Sequence, residues 1–497
     1  MVKYKRIRSL LCLSFVSLQA SLEAEGKKGF FRQNRWRFSK KAKGLIVFAI
    51  ITVMLVSFFA FLPRGNQSTP RTSITPQSSD SPTASPSATP QGTNNQPGKS
   101  NPASGVGQFI GDLAGSIAQA FVPPKTNLIE SNQPVNSSVW WAVAEDAWQE
   151  FQTGKGVDFN TGLPYPYFTD WDLGVYIQAV IDAQQIGLIN ANGTWGAYDR
   201  LNKVLTWLET RELNATTNYP YWFYEGIDGK DYLAMSDLSM ETVDVVDTGR
   251  LFVALNNLRT YDPSFALRVN NLVYNVYDNR SDYAALVPSI ESDSLTSTSI
   301  YAYYIYSGFA SFWPVNLSNA PSTILNNIFS AGNVSTYGVS LPKAAITGDP
   351  LLCSVFELNN TDSRLMALAN QVYLATETCY NVTGQYRAFS EGPSPSGQWA
   401  YEWVVYPDGR TWVVLNEDGS DFNISPVIYT KVAISFLAIY NTTFATNMVV
   451  NLENALPEPS NGYYDGVDAS GTVLNTVGLN TNGLIIDAAT YAIQNNP

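Results

Sequence analysis

Acidic residues gather at the leading edges of apolar runs with helical spacing. "YFTDWDLGVY" (167–176) sets Asp170 and Asp172 around Trp171, and "METVDVVDTGRLF" (240–252) sets Asp244 and Asp247 ahead of Arg250. "DPLLCSVFELN" (349–359) holds Glu357 among apolar neighbours. An unpaired charge is costly to bury, so Glu357 is expected either at a cleft or in an ion pair. The chain has no histidine. Ser-His-Asp and Cys-His nucleophile systems and His-based zinc sites are therefore excluded, and no GxxxxGK[ST] phosphate loop is present. What remains is carboxylates, together with aromatics at 13% of the chain. Carboxylate pairs beside aromatic surfaces are the working parts of glycoside cleavage. No metal and no cofactor is expected.

Each motif also has a plainer explanation. An acid at a helix start accepts free backbone N–H groups and contributes about 1 kcal/mol as a cap. Asp247 reads as such a cap for a helix over 248–258, whereas Asp244 lies too far ahead of it, and capping explains only one of Asp170 and Asp172. "NYPYWFYEGIDGKDY" (218–232) interleaves Tyr221, Trp222 and Tyr224 with Glu225, as either core packing or a loop on which sugar rings stack. "SNGYYDGVD" (460–468) repeats the form with Tyr464 and Asp465.

Six segments share the acidic or polar approach to a helix: 167–176, 240–252, 291–301, 349–359, 423–433 and 478–488. Further helical stripes lie between them, as in "YDRLNKVLTWLETREL" with Leu201, Val204, Leu205 and Leu208. Ten to twelve helices in sequence predict an all-α domain of paired helices closed into a ring, with one β-hairpin at 402–415 turning on Pro407-Asp408-Gly409. If the six segments start the inner helices, their polar ends converge on one cleft.

The first part of the chain differs in kind. Residues 1–64 carry 13 Lys+Arg against Glu23 and Glu25, leaving 17 basic and 40 acidic residues beyond. So acidic a domain excludes nucleic acid as a partner. Residues 44–63 form an uncharged apolar run long enough to cross a bilayer as a helix, and eight basic residues from Lys27 to Lys43 precede it. The positive-inside bias then puts 1–43 in the cytoplasm and the large C-terminal domain, 126–497, outside on a single-pass anchor. The apolar stretch 10–20 resembles a signal peptide and is read as part of an uncleaved extension. Residues 64–105, rich in Ser, Thr and Pro, read as a disordered linker. Within 106–125 a short amphipathic helix over 107–121 is expected to pack on the domain or mediate self-association.

An extracellular domain would be open to two modifications. Asn-x-Ser/Thr sequons stand at Asn136, Asn192, Asn214, Asn279, Asn316, Asn333, Asn359, Asn381, Asn423 and Asn441. Cys353 and Cys379 could form one disulfide or remain two core thiols.

Taken in order, "TDWDLGVYIQAVIDAQQIGLI", "FYEGIDGKDYLAMSDLSMETVDVVDTGRLFVAL", "SVFE" and "GYYDGVDASGTVLNTVGLNTNGLIIDA" resemble the glucoamylase-like helical-toroid domains of β-1,2-glucan hydrolases and cyclic β-1,2-glucan synthases. The chain looks closest to a related domain family of unknown function. The likeness spans 137–495 and implies an (α/α)6 toroid acting on a carbohydrate polymer by acid chemistry. By that resemblance Asp172 falls in the Trp-Asp motif, Asp247 in Val-Asp-x-Gly, Glu225 in the Phe-Tyr loop, Glu357 in Phe-Glu, and Thr481 and Asn482 in the closing Asn-Thr-Asn-Gly. The expectation is a glycoside hydrolase or transglycosylase with Glu357 as proton donor and Asp172 or Asp247 activating water. The rival expectation is a non-catalytic glycan-binding or envelope scaffold on the same toroid.

Overall fold

The computed structural model describes Ile129 and residues 135–232, 245–274, 282–358, 362–456 and 461–495. The expected membrane span, linker and 107–121 helix, together with Asp244, Asn279 and Asn359, lie outside these residues. Among the described residues no helix is long and apolar enough to cross a membrane.

Six helices form a closed circuit. Asp170–Gln185 packs on Val245–Tyr261, which packs on Ile300–Phe312; Gly348–Glu357, Thr430–Tyr440 and Leu479–Asn495 follow, and the last returns to the first. These inner helices are buried nearly all round, as in Asp170–Gln185, where Tyr176, Ile177, Val180 and Ile181 point different ways into protein. An outer helix backs each one: Ala197–Thr210, Ala266–Val273, Ala320–Ser330, Ser363–Thr383, Thr443–Ala455 and Ser137–Ala147 in turn. The outer helices bury a single stripe, such as Leu201, Val204, Leu205 and Leu208, and leave the opposite face to solvent.

Close helix contacts show how the ring is aligned. A β-carbon on Gly174 would lie 2.9 Å from Arg250, one on Gly249 2.5 Å from Ile305, and one on Gly483 2.2 Å from Val175. Each time, the fifth residue of one inner helix meets the sixth of its neighbour. Gly348, first in its helix, lies against Val432, third in the next. The remaining joints are also tied at the N-terminal side. Ile300 N–H donates to Ala345 O at 3.0 Å, and Asp465 O accepts from Thr430 N–H while its carboxylate accepts from Thr481. All six N-terminal ends therefore stand at one level and form one mouth.

Strand content exceeds the single hairpin expected. Trp399–Val405 and Thr411–Leu415 do pair antiparallel, and Glu391–Pro393 joins them as a third strand. The described residues hold three further small sheets, including Tyr167–Phe168 with Tyr224–Glu225 and Val427–Tyr429 with Gly466–Asp468. These are loops that exchange a few backbone bonds as they cross the mouth end of the helices.

Candidate active site

Thr169 begins the first inner helix. Its hydroxyl accepts from Trp171 N–H, and Asp172 closes a capping box by accepting from Thr169 N–H at 3.0 Å. Asp170 does something else: Arg211 holds it in a buried two-pronged ion pair, with Nη1 to Oδ1 at 2.5 Å, and also reaches Tyr283 OH at 2.7 Å. Asp172 stays half-buried at the mouth, and burial pushes its carboxyl up to about 6 against the Thr169 hydrogen bonds. Asp247 is also half-buried at the mouth. The helix begins at Val245, so Asp247 sits inside the first turn rather than ahead of it.

Around the ring, Trp171, Tyr301 and Trp403 make an aromatic row, with ring centroids 6.2 and 5.9 Å apart. Glu391 stands beside this row on the strand 391–393 and keeps part of its surface in solvent. Burial and the neighbouring Asp349 push its carboxyl up to about 7, against Lys431, Tyr301 and Trp399. Lys431 is itself buried and paired with Asp349; burial pulls its ammonium down, but Asp349, Glu391 and Asp465 more than offset that, so its pKa rises. Asp465 accepts from Thr481 and from Thr476, the latter at 2.5 Å. Beside it Glu150 is pushed up to about 8 by burial and by Asp465. Four carboxyls and one ammonium thus run along one side of the mouth.

Glu357 lies elsewhere. It ends its helix, nine residues past Gly348 and so roughly 14 Å below the mouth. Its side-chain exposure is 0%, its carboxylate is paired with Arg250, and Tyr304 OH donates to it at 2.6 Å. Asn257 donates to its backbone carbonyl at 2.9 Å and to Gln178, which in turn donates to Asp182 at 3.1 Å. Asp487 completes the cluster. Burial raises Asp182, Glu357 and Asp487 well above the usual carboxylate range; a neighbouring charge adds to each rise (Asp487 for Asp182, Asp182 for Glu357, Glu357 for Asp487), while hydrogen bonds from Asp487 to Glu357 and from Asp182 to Asp487 work against it. Above them the Arg250 guanidinium lies 5.8 Å from the Trp171 ring and 5.5 Å from the Tyr304 ring, forming a floor between mouth and cluster.

The structure therefore brings Trp171, Asp172, Asp247, Tyr464, Asp465, Thr481 and Asn482 to the mouth and sets Glu357 and Arg250 beneath it. Asn482 is saturated: its Oδ1 accepts from Tyr463 N–H at 2.7 Å and its amide donates to Tyr463 O and Gly478 O, so it anchors the Tyr464–Asp465 loop. Tyr224 is core, packed against Phe168 and Trp207, with its hydroxyl donating to Glu212 O at 2.8 Å. Tyr221, Trp222 and Glu225 remain half-exposed on the hairpin beside the first inner helix. Sequence reading missed Glu391, Asp349, Lys431 and Tyr301. Only Asp349, next to Pro350 at a helix start, left a signal that could have found it.

The disulfide alternative is overturned: Cys353 and Cys379 are both free and buried. Each sulfur is engaged with its own helix, Cys353 donating to Asp349 four residues back and Cys379 lying against Thr383 four residues on. Of the described sequon asparagines, Asn136, Asn192, Asn316, Asn333, Asn381, Asn423 and Asn441 are exposed and Asn214 is half-buried. Among the described residues no cluster of Cys, Asp and Glu has the arrangement of a metal site.

No curated protein matches the chain. The fold is similar to a candidate glucoamylase from Bacteroides caccae ATCC 43185, at 13% identity and TM-score 0.51, covering 72% of this chain and 94% of that one. A candidate glucoamylase from Bacteroides uniformis ATCC 8492 is similar at 12% identity and TM-score 0.50, covering 72% and 92%. The endo-β-1,2-glucanase of Chitinophaga pinensis aligns at 13% identity and TM-score 0.49, covering 72% and 93%. The family model described as "Protein of unknown function (DUF3131)" matches residues 142–495, most of the chain, and the protein belongs to that family.

Proposed function

We propose that the ring is an (α/α)6 toroid whose mouth cleaves or transfers glycosidic bonds in a glucan-type or cell-surface polysaccharide. Glu391 carries the reading. It is a half-buried residue at the mouth whose carboxyl is held near neutrality, at about 7, beside Trp399, which is 38% exposed. A group in that state holds a proton and gives it up readily. In this reading Glu391 protonates the glycosidic oxygen as the C1–O bond breaks. Asp172, pushed up to about 6, takes a proton from the water that attacks C1, with Asp247 as its alternative. A separation of about 6.5–9.5 Å between the two carboxyls would give inversion. The proton donor moves here from Glu357 to Glu391 because the Glu357 side chain has no exposed surface. Half-exposed Tyr464 and Trp222 supply surfaces for sugar rings, and the acidic domain suits a neutral polymer.

The same reading keeps the domain outside the cell on the 44–63 span, as the charge asymmetry around that segment favours. The test is reducing-end release from a panel of glucans by the full-length protein and its Glu391→Gln variant. Loss of turnover with retained binding supports the assignment; equal turnover removes Glu391 from it. Wild-type protein that binds glycan and releases no reducing ends would be the glycan-binding scaffold instead.

A further inference from the structure

We infer that the protein carries a second carbohydrate site, for a neutral oligosaccharide segment, on the outer flank of the ring. It shares no residue with the mouth and does not depend on catalysis there. The site is a cavity of about 480 Å³, within the range of small-molecule sites. One wall is the outer helix Ser137–Ala147 with the turn that continues it to Phe151; the other is the loop 187–196 after the first inner helix. The loop follows the far end of that 16-residue helix, whereas the turn leads up toward the mouth, so the groove runs along the outer flank of the ring.

Three tryptophans line it: Trp141, Trp148 and Trp195. Trp141 is 38% exposed, an unusual cost for so large an apolar ring on a surface. Trp195 is held in the left-handed region at φ 63, which a bulky side chain rarely adopts. Two fixed contacts keep it there: its N–H donates to Asp199 Oδ2 at 2.9 Å, and its carbonyl accepts from Arg200 Nε at 2.9 Å. Lys203 braces the ring from 4.5 Å. Backbone strain sustained by an ion-paired support points to a ring whose aim matters.

The polar lining selects the ligand. Gln152, Asn190 and Thr194 offer amides and a hydroxyl, which both donate and accept, as sugar hydroxyls require. Glu145 is the one carboxylate in the lining, and the nearby cations are committed, Lys155 to the Gln149 side chain, Lys203 to Asp199 and Arg200 to the Trp195 and Phe151 carbonyls. No basic face is left for an acidic polysaccharide or a nucleic acid, and a single acid is too little for a polycation. A neutral glycan is the occupant that fits.

The test is the stoichiometry with which full-length Glu391→Gln protein binds cellopentaose, laminaripentaose or maltopentaose, followed by calorimetry and native mass spectrometry. Two equivalents are expected, and adding Trp141→Ala should leave one, with an unchanged melting temperature showing that the fold is intact. If the mouth does not bind sugar at all, the same substitution takes one equivalent to none, so the two readings fail separately. Stoichiometry unaffected by Trp141→Ala, loss of the groove equivalent only through unfolding, or binding of oligogalacturonate in place of the neutral sugars overturns the inference. A glycan on Asn192 filling the groove would appear as groove binding gained on Asn192→Gln in protein from a glycosylating host; that result overturns it as well.

Discussion

At the mouth, Glu391 keeps part of its surface in water and titrates near 7; deeper in the same ring, Glu357 has no exposed surface and rests on Arg250 and Tyr304. Both are glutamates among aromatic neighbours, and both are raised by burial and by the charge of one aspartate, Asp349 for Glu391 and Asp182 for Glu357. The difference lies in access and in partners. Glu391 faces Lys431 and a rim open to solvent, so its proton can be exchanged during a reaction. Glu357 belongs to a group of three carboxyls sharing one guanidinium, roofed by Trp171. Such a group holds protons for structural ends, joining four inner helices at mid-height. A raised carboxyl is therefore a catalytic candidate only where a substrate can reach it.

The largest effect that would sharpen this contrast is Glu391→Gln, expected to lower kcat/KM for a cleaved glucan by about 10²–10⁴-fold with little change in melting temperature. Arg250→Ala should do the reverse of that pattern in stability, costing about 3–5 kcal/mol in denaturant titration because it leaves buried carboxyls without their cation. Equal melting curves for wild type and Arg250→Ala would break the comparison. The pH dependence divides the two regions further. With Asp172 near 6 required ionised and Glu391 near 7 required protonated, activity should fall below about 6 and above about 7. Rates that stay flat from pH 5 to 9 would remove both groups from the reaction.

Stability should slope in one direction only. Asp182, Glu357 and Asp487 have folded-state pKa values raised above their unfolded ones, so the folded state binds more protons, and their contribution is full in acid and lost as pH rises through those raised values. The melting temperature is expected to be higher near pH 5 than near pH 8, and Asp487→Asn to flatten that slope. The smallest effect is Thr169→Ala, about 1 kcal/mol for the lost cap, measured by thermal unfolding, with a small shift in the acid limb of the activity profile as Asp172 loses the Thr169 hydroxyl but keeps its backbone N–H.

Much of the architecture was legible because it rests on local rules. Six polar approaches to apolar helices, at 167–176 through 478–488, mark the six inner helices of the circuit, and the turn at Asp408-Gly409 marks the hairpin. The site was legible only in part. Asp172 and Asp465 stand in motifs that could be quoted, whereas "SEGPS" around Glu391 has no pattern that separates it from an ordinary loop. Glu357 drew attention as a charge in an apolar run, and both outcomes foreseen for it, cleft or ion pair, were open until Arg250 was seen to reach it across 107 residues.

The order of amino acids by itself determined which chemistry was available, since the absence of histidine and the supply of carboxylates and aromatic rings are properties of composition. It also determined where helices begin, because capping and apolar spacing act within a few residues. Only the tertiary structure decided which acids meet water and which meet one another. Burial and charge proximity arise between distant segments, and a carboxyl's proton affinity depends on those surroundings more than on its neighbours in the chain.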